Sequence, residues 1–172
     1  MKLIYIMIFS IFLLGCSARG QLYKQASLPT EGIGQVYISR EDSFFGSAAD
    51  IKLFVDGELK AKLSNNGYTV LELPPGNYKL KQDWSLSFTD SDSNSIDLEI
   101  KNKETSYALV KMISCAGPMT GELCHKPKIT IIEKNEVLPI LTLNKYQPVL
   151  NERELRYESC WVGWHPLFKY WC

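Results

Sequence analysis

The stretch that decides the fold is IKLFVDGELKAKL, residues 51–63. Leucine, isoleucine, valine or alanine alternates with lysine or phenylalanine over residues 51–55 and again over residues 59–63. Because successive strand residues point to opposite faces, this period of two predicts two strands, each with one apolar face. Asp56-Gly57 between them favours a two-residue turn, since both turn positions need positive φ. The stretch therefore predicts an antiparallel hairpin with one face towards a core.

The same alternation of apolar and polar residues is the dominant pattern from Gln35 onward. Turns are predicted at Asn65-Asn66-Gly67 and at Pro74-Pro75-Gly76-Asn77. Later strands are predicted at residues 78–83, 95–100, 106–114 and 128–134. Seven or eight short strands at near-regular spacing favour a sandwich or a barrel, and we predict a mainly β fold, an antiparallel β-sandwich. The stretch over residues 138–157 is ambiguous, and residues 151–157 are compatible with a short helix.

The N-terminus has the features of a processing signal rather than of a folded element. Residues 3–14, LIYIMIFSIFLL, carry no charge, which suits a signal-peptide core but falls short of the roughly 20 residues of a spanning helix. The following Leu13-Leu14-Gly15-Cys16 resembles the bacterial lipobox, in which the cysteine receives diacylglycerol. The resemblance implies lipidation of Cys16, and Ser17 after it favours the outer membrane. An ordinary secretory signal with a chance cysteine is the alternative.

These features divide the chain into four parts. We predict a signal peptide over residues 1–15, and a lipidated cysteine with a flexible tether over residues 16–33. The β-sandwich domain is predicted over residues 34–137 and a C-terminal extension over residues 138–172. The tether, if flexible, has a reach of roughly 20 Å. The 19 basic and 19 acidic residues balance, so neither a nucleic-acid partner nor charge-driven disorder is expected.

The cysteines indicate an oxidising compartment. Of five, the lipid takes one, which leaves an even four: Cys115, Cys124, Cys160 and Cys172. Three connectivities are possible, and the two local pairings are favoured because short loops close most readily. Each disulfide would contribute about 2–3 kcal/mol. A metal site is the alternative, but the spacings fit no zinc motif, so neither a metal nor a cofactor is predicted.

No catalytic constellation is predicted. His125 directly follows Cys124, and neighbours on a strand point to opposite faces, so that pair is poorly placed for catalysis. A hydrolase that uses free Cys115 or Cys160, or a carboxylate pair, stays open as an alternative. The lone Trp84 on a predicted strand is interpreted as a core residue.

The C-terminal stretch CWVGWHPLFKYWC, residues 160–172, is unusually aromatic. Its large side chains are Trp161, Trp164, Phe168, Tyr170 and Trp171. If Cys160 and Cys172 are bridged, they close a loop of rings of the kind that dominates binding hot spots. Such a loop suits docking on another envelope protein or stacking on a glycan. Alternatively, it folds back and caps one end or edge of the sandwich.

Four short motifs of the chain resemble those of a known family. GQVYISR (residues 34–40) ending in Arg40, Val55-Asp56-Gly57, Pro75-Gly76 and the late Thr105-Ser106-Tyr107 are similar to the marks of bacterial lipoproteins grouped as domain of unknown function 2846. The turns are also similar to those of transthyretin-like sandwich modules that serve as envelope adaptors. The resemblance covers about residues 34–136, implies a β-sandwich and supplies no catalytic residues.

These observations lead to one expectation of function and two alternatives. We expect a non-enzymatic, lipid-anchored protein of the cell envelope that works as a binding or adaptor module, with the membrane as its first partner. A hydrolase of the envelope is one alternative. A purely structural lipoprotein whose tail only seals the fold is the other.

Overall fold

The hairpin of residues 51–63 forms as predicted. In the computed structural model, which describes residues 18–25, 27–84, 95–116, 123–151 and 154–155, Asp56 and Gly57 both have positive φ, 50° and 84°. The strands on either side pair antiparallel from Ile51 opposite Leu63 to Val55 opposite Glu58, with an irregularity at Leu53 and Phe54. Positive φ at both turn positions matches the right-handed twist of the two strands.

The described residues form nine strands and one helix. The strands are β1 Gly34–Arg40, β2 Ile51–Val55, β3 Glu58–Leu63, β4 Gly67–Leu73, β5 Gly76–Trp84, β6 Ser95–Ile100, β7 Thr105–Ala116, β8 Leu123–Ile131 and β9 Lys145–Tyr146, and the helix is α1 Lys134–Leu141. The predicted mainly β class is therefore confirmed.

The strands make two sheets. One has five strands in the order β8-β7-β1-β4-β9, and the other has four in the order β3-β2-β5-β6. The prediction of purely antiparallel pairing is wrong for two pairs, because β1 runs parallel to β7 and β4 runs parallel to β9. Parallel neighbours need a crossover. Strands β2 to β6 form the crossover between β1 and β7, and the chain through α1 leads to β9.

An apolar core lies between the two sheets. The five-stranded sheet contributes Val36, Ile38, Leu71, Ala108, Val110 and Ile129, and the four-stranded sheet contributes Ile51, Leu53, Val55, Ala61, Leu63, Leu80, Leu98 and Ile100. The alternating residues that the sequence marks as apolar face this core, except Leu59, which pairs with Phe54 beyond the irregularity of the hairpin and is only half-buried. Trp84, at the end of β5, is half-buried, with its ring against Gly46.

The five-stranded sheet is covered on its outer face as well. Every residue of β1 is buried, which one wet face would not allow. The cover consists of α1, through Val137 and Leu141, and of the N-terminal residues 18–25, through Tyr23. Strand β1 is therefore buried on both faces.

Residues 18–25, here named the N-terminal strap, lie on the domain and do not form a free tether. Ala18 is 1% exposed and donates its main-chain N–H to the oxygen of Asn65 at 3.0 Å. Tyr23 donates to the oxygen of Asn144 at 3.1 Å, and Leu22 bridges Lys145 in β9. A flexible tether was predicted over residues 16–33. The strap departs from that prediction because its main chain is hydrogen-bonded at the edge of the sheet.

The predicted boundary at residue 137 falls inside α1. Val137 and Leu141, four residues apart, lie on the buried face of this helix. Strand β9 follows the helix and joins the five-stranded sheet. Strand β8 ends at Ile131, and Lys134 begins α1, where a strand was predicted to continue. Pro139 inside the eight-residue helix obscured it in the sequence. The described part of the extension therefore packs as part of the domain.

Candidate binding surface

Five tyrosines converge on the outer face of the five-stranded sheet. They are Tyr23 of the strap, Tyr37 of β1, Tyr68 of β4, Tyr107 of β7 and Tyr146 of β9, and we name them the tyrosine array. Tyr37 lies directly opposite Tyr107 in the register of β1 and β7. Tyr68 lies opposite Ser39, which is two residues after Tyr37 on β1 and so on the same face. The three central rings therefore share the face opposite to the apolar core, since side chains alternate along a strand.

The rings of the array contact one another in both stacked and edge-on geometry. Tyr37 stacks on Tyr107 with 5.5 Å between centroids and on Tyr68 with 6.4 Å. The ring of Tyr23 meets Tyr37 and Tyr68 edge-on at 5.9 and 5.6 Å. Tyr146 continues the row at 5.5 Å from Tyr68. Such pairs contribute about 0.5–1.5 kcal/mol each beyond their buried area, so the array is a rigid aromatic platform.

Burial raises the pKa of three hydroxyls of this array. Desolvation, and then the neighbouring phenols, raise the pKa of Tyr23 and of Tyr107 above the ordinary value. Desolvation also raises the pKa of Tyr68, and a main-chain hydrogen bond at Lys24 offsets part of that rise. The Tyr23 hydroxyl is buried and has no hydrogen-bond partner among the described residues. The hydroxyls of Tyr23, Tyr68 and Tyr107 therefore stay neutral beyond the pH at which an exposed tyrosine ionises.

A first groove lies on one side of the strap. It has a volume of about 520 Å³. Its lining includes Gln25 at the end of the strap, Leu28, Tyr37 and Tyr107 of the array, Ile132, and Lys134 at the start of α1. Leu28 is 80% exposed and Ile131 at its rim is 50% exposed. The walls thus combine apolar and aromatic side chains with polar and charged ones, among them Gln35, Glu104 and Lys134.

A second groove lies on the other side of the strap, beside β4. It has a volume of about 640 Å³, and its walls include Lys24, Tyr68, Val70, Glu72, Tyr146 and Val149. Gln35 lines both grooves and donates from Nε2 to Oε1 of Glu72 at 2.9 Å. The two grooves therefore meet at Gln35, the second residue of β1.

The second groove runs along an open main-chain edge. Strand β9 pairs with β4 only at Gly67 and Tyr68, where Lys145 and Gln147 donate to the oxygens of Asn66 and Tyr68 at 3.1 and 2.7 Å. Main-chain groups two residues apart in a strand point to the same side. Val70 and Glu72 therefore present N–H and C=O groups on the side that no described strand covers.

Most residues that the sequence singled out lie outside the described part of the chain. These are Cys16, Cys160, Trp161, Trp164, Phe168, Tyr170, Trp171 and Cys172. Cys115 and Cys124 lie in β7 and β8, and the strand register places their main chains directly opposite each other. Within the described residues, no group of three or more His, Cys, Asp or Glu side chains is arranged to hold a metal ion. None of the described helices has the length and apolar character needed to cross a membrane.

The tyrosine array was missed at the sequence level, although a signal for it exists. The strand GQVYISR carries no charge between Gly34 and Arg40, so neither of its faces is marked as wet. Continuous absence of charge is typical of strands that are buried on both faces. The pairing of Tyr37 with Tyr107 depends on a parallel register, which alternation alone does not predict.

One known protein family matches the part of the chain that contains most of the strands. The family described as "Protein of unknown function (DUF2846)" matches residues 30–119. That range contains β1 to β7, with Tyr37, Tyr68 and Tyr107, and ends before β8. No curated protein matches the chain. Since the match spans more than half of the 172 residues, the chain belongs to the DUF2846 family.

Proposed function

We propose that the protein is a non-enzymatic, lipid-anchored module of the bacterial cell envelope whose second groove binds an extended segment of another envelope protein. The observation that carries this proposal is the open edge of β4 beside the tyrosine array. A β-sandwich made of the two sheets is the rigid scaffold, and the lipid is attached at Cys16 after removal of residues 1–15.

The main chain of β4 supplies the first half of the recognition. An extended peptide that adds to a sheet edge gains main-chain hydrogen bonds irrespective of its sequence. Val70 and Glu72 offer such groups, and β9 has already used the same side of the strand at Gly67 and Tyr68. A partner strand would therefore continue the line of β9.

The walls of the groove supply the second half. Tyr68, Tyr146 and Val70 form an aromatic and apolar floor next to that edge. Every second side chain of an extended partner would contact this floor, and tyrosines give large contact area at little cost in entropy. Lys24 and Lys60 stand at the rim with Glu72, so the partner segment is expected to carry mixed or no charge there.

The features outside the described residues complete the proposal. Disulfides Cys115–Cys124 and Cys160–Cys172 suit an exported protein. The C-terminal loop with Trp161, Trp164 and Trp171 is proposed as a second contact for a protein or a glycan. Acylation of Cys16, with sorting to the outer membrane, would concentrate the domain near partners on the same membrane, so that modest affinity suffices.

The proposal is tested by photo-crosslinking in intact cells. A benzophenone side chain at position 72 of the full chain is expected to crosslink one protein partner through a short segment, identified by mass spectrometry. The same side chain at Glu99, exposed on β6 of the other sheet, is the matched control and should give no such product. The substitution Val70→Pro removes one edge N–H and should abolish the crosslink.

Two controls keep the result interpretable. Lys62→Pro places a proline on β3, the edge strand of the other sheet, and should leave the crosslink intact. The melting temperatures of both proline variants show whether either has lost its fold. A crosslink at position 72 that survives Val70→Pro in a folded chain, or no crosslink at all, overturns the strand-addition proposal.

A further inference from the structure

The described chain enters the domain at one particular end. Ala18, the first described residue, is held by Asn65, which lies between β3 and β4. The same end contains Arg40, the last residue of β1, because Ser39 pairs with Tyr68 at the start of β4. We name it the anchor end. Two residues span at most about 7 Å, so a lipid on Cys16 would be held within that distance of Ala18.

The loop between β1 and β2, residues 41–50, exposes two phenylalanines at this end. Phe44 is 89% exposed and Phe45 is 51% exposed. Their rings contact each other edge-on, with centroids 5.6 Å apart. Scattered exposed apolar residues are ordinary, but two adjacent aromatic rings beside the entry of the chain form a small apolar tip.

A buried arginine fixes the main chain of this loop from inside. Arg40 is 1% exposed, and its guanidinium donates to the oxygens of Gly46 and Ala49, both at 2.7 Å, and of Leu63 at 2.8 Å. Desolvation lowers its pKa, while the nearby carboxylates Asp50 and Asp42 favour the charged form. The hydrogen bonds of Arg40 therefore fix the main chain next to the two phenylalanines.

The residue that holds Ala18 also holds this loop. The Asn65 side chain accepts a hydrogen bond from the main-chain N–H of Ser43 at 3.1 Å and donates one to Asp42 at 2.5 Å. Its main-chain oxygen accepts from Ala18. The entry of the chain and the loop that carries the phenylalanine tip are thus joined through one residue, Asn65.

Three exposed lysines project beyond the same end. Strands β7 and β8 extend past Arg40, whose partner in β7 is Val110. In that extension Lys111 lies directly opposite Lys128, and Lys126 lies two residues further along the same face. All three are exposed. Like charges directly opposite each other destabilise a sheet, so this trio indicates an external anion.

We infer that the anchor end rests on a phospholipid surface with anionic headgroups, with Phe44 and Phe45 in the interface and the three lysines over the headgroups. This inference rests on the proposed acylation of Cys16. Apolar side chains enter the boundary between headgroups and acyl chains, and each lysine near an anionic surface raises partitioning about fivefold. The domain then stands in a fixed orientation, with its opposite end and the first groove turned away from the membrane.

The test uses the full acylated chain in vesicles that contain brominated acyl chains. Phe44→Trp adds an emission that bromine should quench, measured as a difference from the unsubstituted protein. Leu28→Trp adds an equally exposed tryptophan at the opposite end and should not be quenched. Absent quenching at position 44, or equal quenching at both positions, overturns the inference.

A second comparison tests the lysines. Quenching at position 44 should deepen when anionic lipid is added to zwitterionic vesicles, and the triple change K111Q/K126Q/K128Q should abolish that difference. The matched change K101Q/K103Q/K134Q at the opposite end should leave it intact. An equal effect of both triple changes, or none of either, overturns the headgroup contact. The mass of the same samples reports acylation, so a missing lipid refutes the proposed anchor separately from the membrane contact.

Discussion

The side-chain amide of Asn144 donates a hydrogen bond of 2.8 Å to the main-chain oxygen of Arg40, across 104 residues of sequence. The same nitrogen contacts the Ser39 hydroxyl at 2.8 Å and the Gly67 oxygen at 3.0 Å. Asn144 is fully buried. From its position directly before β9, it joins the end of β1 to the start of β4. It thereby ties the C-terminal part of the described chain to strands that the family match covers.

Asn144→Ala is expected to destabilise the domain by about 2–3 kcal/mol, because it leaves buried acceptors without a donor. Urea denaturation followed by circular dichroism measures the change. Asn77→Ala, at an exposed site on β5, should stay within about 0.5 kcal/mol of the unsubstituted chain. Equal stability of the two variants would contradict the central position of Asn144.

Leu141→Ala is expected to cost about 2–5 kcal/mol, since the fully buried side chain at the end of α1 leaves a cavity. Leu143, two residues later, is 68% exposed, and Leu143→Ala should change stability by less than about 0.5 kcal/mol. Thermal unfolding of both variants distinguishes them. If Leu141→Ala were neutral, α1 would not cover the sheet.

Gly46→Ala should destabilise more than Gly57→Ala. Both glycines have positive φ, 75° and 84°, which costs an alanine about 1–2 kcal/mol. A Cβ at Gly46 would also lie 2.4 Å from the Trp84 ring, whereas one at Gly57 meets nothing within 4 Å. We expect a further cost of about 1–3 kcal/mol at Gly46, measured by denaturant unfolding. The two variants would be equal only if the Trp84 ring moves freely.

Alkaline pH should destabilise the domain through the tyrosine array. The folded-state pKa values of Tyr23, Tyr68 and Tyr107 are raised, so the folded state holds these protons more tightly than the unfolded chain. Their contribution is fully present below the unfolded pKa of about 10 and is lost as pH rises through the folded values.

The Tyr23→Phe variant tests this pH dependence. Because the Tyr23 hydroxyl has no described partner, the variant should be at least as stable at neutral pH and lose less stability in alkali. Denaturant unfolding over a pH series gives both quantities. A steeper alkaline loss in Tyr23→Phe than in the original chain would show that another group is responsible.

If the protein is exported as proposed, the thiols of Cys115 and Cys124 are expected to form a disulfide. Residues directly opposite in an antiparallel pair have Cα atoms about 4.5–5.5 Å apart, within the disulfide range of about 4.4–6.8 Å. Peptide mapping without reduction should recover this pair, with Cys160 joined to Cys172. Recovery of Cys115 or Cys124 as a free thiol, or joined to the tail, would refute the local pairing.

Alternating apolar residues were enough to predict most of the fold. The pattern at Ile51, Leu53 and Val55 depends only on local geometry and burial on one face, and the turn at Asp56-Gly57 depends only on φ. The parallel pairing of β1 with β7 joins residues such as Tyr37 and Tyr107, far apart in sequence, and no local pattern encodes it. Helix α1 was missed because Pro139 and its short length resemble a loop.

The candidate site was less accessible to sequence reasoning than the fold. Tyr23 looked like part of a polar tether, and only its contacts with Tyr37 and Tyr68 show that it covers the sheet. The open edge of β4 is a property of where β9 stops pairing, which follows from the whole topology. The aromatic residues predicted for binding, among them Trp161 and Trp164, remain predictions.

The central position of β1 has a consequence for how the molecule acquires its structure. It is the first strand to be synthesised, yet its two neighbours, β4 and β7, follow later, and β7 only after five further strands. Non-local pairing of this kind slows folding. In an exported protein, as we propose this one to be, the uncharged segment of residues 34–39 would travel unprotected until residue 110 has emerged. We expect a holding chaperone to shield it over that interval.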